Sequence, residues 1–372
     1  PFEVDLAALE GMVKELSVMF KDYKELFNSN VMLVAVEQDN YRLTSENVRL
    51  KFPLGLVGLT VSASVRTTDG STVSDVLAIS SLDNPADLPS IEELKKKVKD
   101  FADNLMELKE TPMIEEYYTG PVLFEGGAAS RLFTDNLLSP GRLLALRTMA
   151  PARGMLDEQL GRRIIDSRLT VKNYTTLAEY NGTPLFGCYE IDGDGVVPAA
   201  ELTLVENGVF KRMLNGRVPT LKAPESTGSA RFMISPDNPM AIVSPGTIHV
   251  QASKGVGPEK LKKALLKAAK EADLEYAYIV RRIGGEASAV YKVNVKDGKE
   301  IRVRVNNLSA PELTKLMDLK GISSDERVMN YFPNGVPASL IYPSAIIVGD
   351  VEINRTTPKI EEEPVLKHPL QR

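Results

Sequence analysis

The side chains that most readily bind metals or act as nucleophiles are few in this sequence. Its 372 residues include two histidines, His249 and His368, and one cysteine, Cys188. Imidazole and thiolate are the usual protein ligands of zinc, so few soft ligands remain for a zinc or iron site. We interpret His249 as a hydrogen-bonded strand residue and Cys188 as a small buried hydrophobe. Nothing in their spacing brings these three residues together.

A second group of candidate ligands is acidic. Glu190, Asp192, Asp194 and Glu201 occupy positions 1, 3, 5 and 12 of an EF-hand-like frame, with Gly195 at position 6. Alternating oxygen ligands followed by a late bidentate glutamate suit Ca²⁺. However, position 1 favours aspartate, and the segments on both sides have the composition of strands, not helices. We therefore interpret the Asp-Gly-Asp-Gly segment as a hairpin turn. An ion site at these four carboxylates is the open alternative.

Motifs for phosphate binding and for nucleophilic catalysis are absent from the sequence. It contains neither G-x-x-x-x-G-K-[ST], nor G-x-G-x-x-G after a strand, nor G-x-S-x-G. Gly126-Gly127 lies between a strand-like and a helical segment, where a tight turn is favoured over an anion site. Glu115-Glu116 and Glu361-Glu362-Glu363 are typical of solvated surface rather than of a paired acid and base. The residues alone assign no catalytic, cofactor-binding or metal site.

The composition is that of an ordinary globular protein. There are 45 basic and 50 acidic residues, a formal charge of −5, so the basic excess of nucleic-acid-binding proteins is missing. A single cysteine excludes an internal disulfide. The length predicts two or three domains of roughly 100–200 residues each. The longest apolar runs, residues 31–36 and 345–348, are far shorter than the roughly 18 residues of a membrane helix.

The first part of the chain predicts a helix and then an antiparallel meander. Apolar residues recur at spacings of three and four over residues 6–27, which is typical of an amphipathic helix. A capping box at Ser90 and Glu93 predicts a second helix, running to about Leu108. The strands predicted between the two helices are residues 31–37, 41–44, 48–52, 59–66 and 73–79, with Asp69-Gly70 as a hairpin turn.

The rest of the chain predicts more strands than helices. Helices are predicted at residues 128–138, after Pro140, and at residues 258–272. Asn207-Gly208 suits a type I′ hairpin turn. The main strands predicted are residues 121–124, 202–205, 209–214, 276–282, 289–295 and 301–305, and residues 340–353 as one late central strand. Without strict βαβ alternation, this order predicts an α+β fold with mostly antiparallel sheets and packed helices. We place two domains at residues 1–119 and 120–372.

One segment carries a family resemblance. Residues 118–129, YTGPVLFEGGAA, resemble the TldD/PmbA family, also known as the modulator-of-gyrase or U62 peptidase family. Similar segments follow in the family's order at residues 166–171, 192–196, 204–209, 226–231 and 343–353, with looser matches at 44–47 and 68–70. The resemblance covers about residues 30–355, and the order and spacing of its segments make it specific. It also implies that the acidic turn at 192–196 is structural.

The family includes zinc-dependent peptidases built from two kinds of subunit, which cut unfolded or extended peptides. The resemblance implies a zinc site of H-E-x-x-x-H and a late cysteine in one kind of subunit, and none in the other. Here the matching helix, residues 128–139, contains no histidine, and Thr134 and Asp135 stand near the places of His and Glu. Cys188 lies far before the family's cysteine ligand. No catalytic, metal or cofactor residue is carried over.

The resemblance therefore points to a non-catalytic, TldE/PmbA-like subunit with a peptide as substrate. Its expected partner is a TldD-like zinc peptidase, or a second copy of the chain, and neither nucleic acid nor a membrane is expected. An active peptidase with an unrecognised site, and a peptide-binding scaffold without a proteolytic role, are the alternatives. The family implies a cytoplasmic protein. The first residue is Pro1 rather than Met, which predicts a truncated or processed start and leaves an exported form open.

Overall fold

The computed structural model describes residues 5–82, 85–146, 155–235, 240–285, 287–305 and 308–355. The α-helices within these ranges are α1 (Leu6–Val18), α2 (Ile91–Glu110), α3 (Gly127–Leu137) and α4 (Pro258–Glu271). The first nine strands are β1 (Leu26–Leu43), β2 (Arg49–Arg66), β3 (Thr72–Leu82), β4 (Tyr118–Glu125), β5 (Leu169–Tyr174), β6 (Glu179–Tyr180), β7 (Thr183–Pro184), β8 (Glu201–Glu206) and β9 (Val209–Phe210). The later strands are β10 (Ala230–Phe232), β11 (Ala241–Val243), β12 (Thr247–Ala252), β13 (Tyr276–Arg282), β14 (Ala289–Asn294), β15 (Glu300–Val303), β16 (Leu319–Ile322), β17 (Glu326–Tyr331), β18 (Ala338–Pro343) and β19 (Ala345–Ile353).

The N-terminal part is a three-stranded antiparallel sheet, β1-β2-β3, covered on one face by α1 and α2. Side chains alternate across a strand, so Leu59, Val61, Ala63 and Val65 share one face of β2. All four are at most 2% exposed and pack against α2. The predicted meander is confirmed, and so is the capping box, because Ser90 and the N3 glutamate cap each other's backbone at the start of α2.

The first helix is shorter than its apolar spacing predicts. α1 ends at Val18, a single 3₁₀ turn follows, and Leu26 and Phe27 already belong to β1. There they pair with Val65 and Ser64 of β2. Apolar spacing cannot separate a helix end from the start of a buried strand, so the tertiary pairing decides. The strands predicted at residues 31–37 and 41–44 are likewise one continuous β1, and residues 49–52 begin β2.

Two six-stranded sheets form the larger part of the described chain. Their strand orders are β15-β14-β13-β4-β19-β16 and β17-β18-β12-β5-β8-β9. Each contains one parallel pair, β4 with β13 and β12 with β18, and the other described pairs are antiparallel. The fold is α+β with mostly antiparallel sheets, as predicted. Two short hairpins, β6-β7 and β10-β11, complete the described sheets.

α3 packs between the two large sheets. It contacts β4 and β13 of one sheet and β18 of the other. Its side chains Ala129, Leu132 and Phe133 are at most 1% exposed and belong to a core cluster that contains strands of both sheets. α4 covers the opposite face of the first sheet through Leu261 and Leu265. The first residue of α4, Pro258, is at a position where its missing N–H costs no helical hydrogen bond.

The late apolar run is two strands, not one. β18 ends at Pro343 and β19 begins at Ala345, and the two strands belong to different sheets. Ser344 separates them: its amide donates to the carbonyl of Asp325 at 2.9 Å, and its hydroxyl bonds the Asp325 carboxylate. A run of buried apolar residues looks the same in sequence whether it crosses one sheet or passes from one to the next, so the prediction of a single strand was wrong.

The helix predicted after Pro140 is also wrong in its described part. Residues 141–143 form a turn, residue 144 forms β-bridges, residues 145–146 have no regular structure, and residues 147–154 lie outside the described residues. Gly141 has φ +82°, outside the helical region. The Leu143 amide donates to the Leu137 carbonyl, and the Leu143 carbonyl accepts from Leu214 at 2.8 Å. Buried backbone must be paired, and here its partners lie on other segments. Among the described residues, no helix is long and apolar enough to span a membrane.

Arginines join the N-terminal sheet to the larger part of the molecule. Arg282 binds Asp75 through two bonds of 2.9 and 2.6 Å, and Arg304, only 2% exposed, bonds the Asp69 carboxylate. Burial of Asp69 opposes its ionisation, but hydrogen bonds from Thr67 and Ser71 and the charge of Arg304 outweigh that effect. The pKa of Asp69 is lowered to about 2. The division into two domains at residues 119 and 120 stays a prediction.

The Asp69→Asn variant is expected to lose about 3 kcal/mol of unfolding free energy at pH 7, because Arg304 then remains buried without a carboxylate. The folded pKa lies below the usual value of about 3.9, so Asp69 stabilises the fold above about pH 4. That stabilisation disappears as the pH falls towards 2. Urea unfolding of both proteins at several pH values measures the difference. The control is Asp318→Asn, an ion-pair residue whose side chain is 85% exposed, with an expected loss below about 1 kcal/mol. Equal losses in the two variants would contradict the assignment.

The Asn207-Gly208 turn has the predicted type I′ geometry. Asn207 has φ +48° and Gly208 has φ +79°, between β8 and β9. A Cβ on Gly208 would lie 2.5 Å from the Ile165 carbonyl oxygen, whereas a Cβ on Gly182, also at φ +79°, would meet nothing within 4 Å. The two glycines therefore separate backbone strain from steric exclusion.

Gly182→Ala is expected to cost about 1 kcal/mol, the penalty of a left-handed conformation. Gly208→Ala is expected to cost a further 1–3 kcal/mol or so, because backbone atoms must move. Thermal and urea unfolding of both variants measure the two losses. If the two substitutions cost the same, the close approach to the Ile165 carbonyl does not constrain the turn.

Candidate functional site

α3 is the helix on which the resemblance would place zinc ligands. It follows β4 through Gly126, whose φ is +56° and whose amide donates to the Ser344 carbonyl at 2.8 Å. A Cβ on Gly126 would lie 3.0 Å from a guanidinium nitrogen of Arg327. The predicted tight strand-to-helix turn is confirmed, and it fixes the first turn of α3 against the end of the central strand β4.

The side chains near the expected ligand positions on α3 do not fit zinc. Thr134 is half-buried and donates its hydroxyl to Asp135 at 3.2 Å, and Asp135 is paired with Arg131 at 3.0 Å. Ser139, five residues after Thr134, lies past the end of α3. Zinc sites need imidazole, thiolate or free carboxylate donors, and here the Asp135 carboxylate is paired with the Arg131 guanidinium. Among the described residues, no three His, Cys, Asp or Glu side chains are placed to hold a metal ion.

His249 is a strand residue with satisfied hydrogen bonds, as predicted. It lies in β12, is 7% exposed, and its Nε2 is 2.9 Å from Glu326 Oε1. Gln251 Nε2 is 3.3 Å from its Nδ1, and Tyr180 donates its hydroxyl to the same glutamate. Burial raises the pKa of Glu326, but the hydrogen bonds of His249 and Tyr180 outweigh it and the net shift is downward. His368 lies outside the described residues.

The acidic segment is a structural turn. Asp192, 1% exposed, accepts hydrogen bonds from the amides of Asp194, Val196 and Ala230 at 2.8–3.0 Å. Burial raises its pKa, and these amides offset only part of that effect. Glu201 is paired with Lys172 at 2.6 Å, and Glu190 is exposed.

Asp192 therefore holds the loop and β10 through backbone amides, whereas Glu201 pairs with β5, and these carboxylates are not gathered at one point among the described residues. The strand expected before the turn is wrong, because residues 189–191 form no strand, whereas Glu201 does begin β8.

Cys188 is exposed, so its prediction as a buried residue was wrong. The neighbouring Gly187 takes the inward position. A Cβ there would lie 2.3 Å from the carbonyl carbon of Gly246. The amides on either side are held as well, Phe186 by Ser339 and Tyr189 by Thr175, both at 2.8 Å. Sequence neighbours gave the wrong answer because only this backbone packing decides which side chain faces the interior.

Cys188 opens on a cavity of about 220 Å³ between β2 and the later part of the chain. We name this cavity the junction cleft. Phe52 of β2 and Phe232 of β10 contribute rings whose centroids are 5.1 Å apart. The residues that define the cleft are Phe52, Leu54, Cys188, Tyr189, Arg231 and Phe232. Cavities at the junction of structural units are common binding sites.

Arg231 is a buried cation of the cleft, and the sequence gave no reason to single it out. It is 8% exposed, and its Nη1 donates to the carbonyls of Pro245 at 2.7 Å and Pro337 at 2.5 Å. Its guanidinium carbon lies 4.4 Å from the centroid of the Tyr189 ring. Burial lowers the pKa of this guanidinium to about 10. An arginine is normally expected to be solvent-exposed. The position of Arg231 at the end of the segment 226–231 does not indicate that its side chain is buried.

Comparison with known proteins agrees with this architecture. The crystal structure of TldE from Thermococcus kodakarensis superposes with a TM-score of 0.58 at 16% identity, over 93% of this chain and 73% of that one. A candidate modulator of DNA gyrase from Thermotoga maritima gives 0.58 at 15% identity, over 94% and 75%. A second, from Bacteroides thetaiotaomicron, gives 0.57 at 15%, over 93% and 72%. At these identities the likeness shows the fold.

The sequence itself supplies the family. No curated protein matches the chain. The profile of the PmbA/TldA metallopeptidase C-terminal domain matches residues 117–354, which is more than half of the sequence. That range contains β4, α3 and both large sheets, and it includes the resembling segments from residue 118 onwards. This chain therefore belongs to the TldD/PmbA family.

Proposed function

We propose that this chain is a non-catalytic subunit of a TldD/TldE-type peptidase. It pairs with a zinc-bearing relative and forms part of the wall that holds an unfolded or extended peptide. The observation that carries the proposal is the ligand-free α3: Thr134, Asp135 and Arg131 occupy the region where a catalytic member needs imidazoles and a glutamate. The TldD/PmbA scaffold around that helix is present, so the chain has the family's framework without its donor set.

The electrostatics of α3 support the same conclusion. The Asp135 carboxylate is already paired with Arg131 at 3.0 Å. A metal ion would therefore have to displace the Arg131 guanidinium, which lies on the same helix. In zinc peptidases with an H-E-x-x-H-type motif, a glutamate also acts as the general base for the zinc-bound water. The next acidic side chain on the adjoining segment, Glu125, is paired with Arg281 at 3.0 Å. Neither carboxylate is arranged for that role.

A homodimeric scaffold is the second candidate, and β1 favours it. This long strand lies at one edge of the three-stranded sheet. Met32, Val34 and Leu43 on it are 50%, 41% and 74% exposed. Exposed apolar side chains along a sheet edge commonly mark an association surface. This candidate explains the surface but not the family's peptidase framework.

The chain expressed alone is expected to hold far less than one zinc ion per molecule and to leave unfolded peptides intact. Co-expression with an H-E-x-x-x-H relative from the same organism is expected to give a complex that contains zinc and cleaves the peptides. Light scattering, metal analysis and a fluorogenic peptide assay measure the three properties. The control is the same partner with its motif Glu replaced by Gln, which should assemble without activity. Stoichiometric zinc together with peptide hydrolysis by this chain alone would overturn the proposal. A homodimer that does not bind the H-E-x-x-x-H relative would favour the homodimeric scaffold.

Asp135→Asn is expected to change the peptide-cleavage rate of that complex by less than about twofold, because Asp135 pairs with Arg131 instead of serving the reaction. The free energy of unfolding should fall by no more than about 0.5 kcal/mol, as for exposed i,i+4 ion pairs. Steady-state kinetics and urea unfolding measure both. Arg131→Gln, which removes the other half of the pair, is the matched control. A tenfold loss of kcat in Asp135→Asn alone would mean that this carboxylate takes part in catalysis.

A further inference from the structure

The buried arginines of the described chain are not alike in their partners. Arg302, 9% exposed, bonds Glu107 at 2.5 Å, and Arg304 bonds Asp69. Arg231 is 8% exposed, yet the partners of its guanidinium within the described residues are two carbonyl oxygens and the Tyr189 ring. Guanidinium stays charged in proteins, and a buried charge is costly without a counter-ion. Arg231 thus carries a positive charge at the wall of the junction cleft that no described carboxylate balances.

The nitrogens of the Arg231 guanidinium that make no hydrogen bond to described residues have a defined geometry. Nη1 is used by the two proline carbonyls, whereas Nε and Nη2 have no acceptor among the described residues. Neither atom is among the fully enclosed, unpaired side-chain atoms of those residues, so each keeps some exposed surface on a residue that lines the cleft. An Nε–Nη2 edge presents two parallel N–H groups, which match the two oxygens of a carboxylate.

The rest of the cleft is mostly aromatic and aliphatic. Phe52, Leu54 and Phe232 supply apolar surface to the cleft that Arg231 also lines. Two other charged groups line the cleft, and both already have partners. Lys51 is paired with Asp39 at 2.8 Å, and the oxygens of Asp192 accept backbone amides. A ligand that is apolar apart from one carboxylate therefore meets complementary groups, and about 220 Å³ accommodates a single amino-acid-sized body.

We propose that the junction cleft is a binding site for a carboxylate on an apolar or aromatic body, with Arg231 as its counter-ion. The terminal carboxylate of a peptide with an apolar last residue and a free aromatic acid share this chemistry. The peptide is the source that the proposed function would supply, but the site itself depends only on the cleft. Cys188, the single cysteine of the chain, lines the same cleft and is exposed, so it reports occupancy.

The test measures how fast N-ethylmaleimide modifies Cys188 in the purified full chain. The probes are acetyl-Ala-Ala-Phe with a free C-terminus, the same peptide as its amide, 3-phenylpropionate, 3-phenylpropanamide and inorganic phosphate. At saturation, at least one of the two acids is expected to slow modification about tenfold, while both amides leave it unchanged. Protection by the peptide acid alone identifies a peptide end, and protection by both acids identifies a general carboxylate site. Equal protection by acid and amide, protection by phosphate, or no protection at all would overturn the proposal.

Two variants connect the effect to the cleft. Arg231→Lys keeps a charge but loses the two-pronged edge, so the acid concentration for half protection is expected to rise about tenfold. Because Arg231 also holds two carbonyls, its variants are first checked for folding by circular dichroism. Phe52→Trp enlarges a side chain that β2 contributes to the cleft and leaves the Arg231 hydrogen-bonding groups unchanged, so it is expected to abolish protection in a folded protein. Arg217→Lys, at an arginine whose side chain is 47% exposed, is the control without effect. Undiminished protection in both Arg231→Lys and Phe52→Trp would also overturn the proposal.

The assay uses this chain alone, and it is independent of zinc, of a partner and of hydrolysis. If the acids do not protect Cys188, the proposal of a carboxylate site is wrong, but the proposed subunit role is unaffected. Conversely, peptide hydrolysis by the chain alone would remove the non-catalytic role and leave the binding result unchanged.

Discussion

The packing of α3 between two six-stranded sheets is the constraint on which most of the described structure depends. One small helix has apolar side chains in contact with strands of both sheets, so each sheet fixes the helix and the helix fixes the distance between the sheets. Gly126 makes this possible, because its positive φ turns the chain directly from a buried central strand into the helix. Displacing α3 would disrupt the largest core cluster and the end of β4 together.

This constraint explains how the same scaffold can present different side chains at the positions of α3 that face away from the core. The buried residues of α3, such as Leu132 and Phe133, make the packing contacts, while Thr134 and Asp135 lie half-buried and exposed. Residues on that more open side can change without loss of the core. A fold therefore does not by itself determine chemistry, which depends on the side chains that the scaffold presents. In this chain α3 presents a hydroxyl and an ion pair.

Charge at the junction between the N-terminal sheet and the larger part has two forms. Arg282, Arg302 and Arg304 bind carboxylates across it, so these ions neutralise each other and join the two parts. Arg231 lies beside the start of β2, at the opposite end of that strand from Asp69, and its guanidinium has carbonyl acceptors only among the described residues. The first arrangement stabilises the contact between the parts. The second leaves a charge without a described carboxylate beside the junction cleft, and this is the observation from which we propose a carboxylate ligand there.

Local patterns in the sequence determined several elements correctly. The alternation of Leu59, Val61, Ala63 and Val65, the capping residues around α2 and the Asn207-Gly208 turn depend on short-range sterics and hydrogen bonds, so they can be read from neighbouring residues. The shortage of histidine and cysteine was equally visible, as was the ordered set of segments that indicated the family. From these the α+β class followed.

Only the tertiary structure decided the remaining features, because each depends on residues distant in sequence. Pairing with β2 draws Leu26 and Phe27 into a strand, and the passage from one sheet to the other divides the late apolar run at Ser344. The close approach of Gly187 to Gly246 turns Cys188 outward. Two proline carbonyls and an aromatic ring enclose Arg231. A sequence shows which chemical groups are present, but their burial and the distances between them are set by the folded chain. Burial and distance determine which charged side chains are paired and which are not.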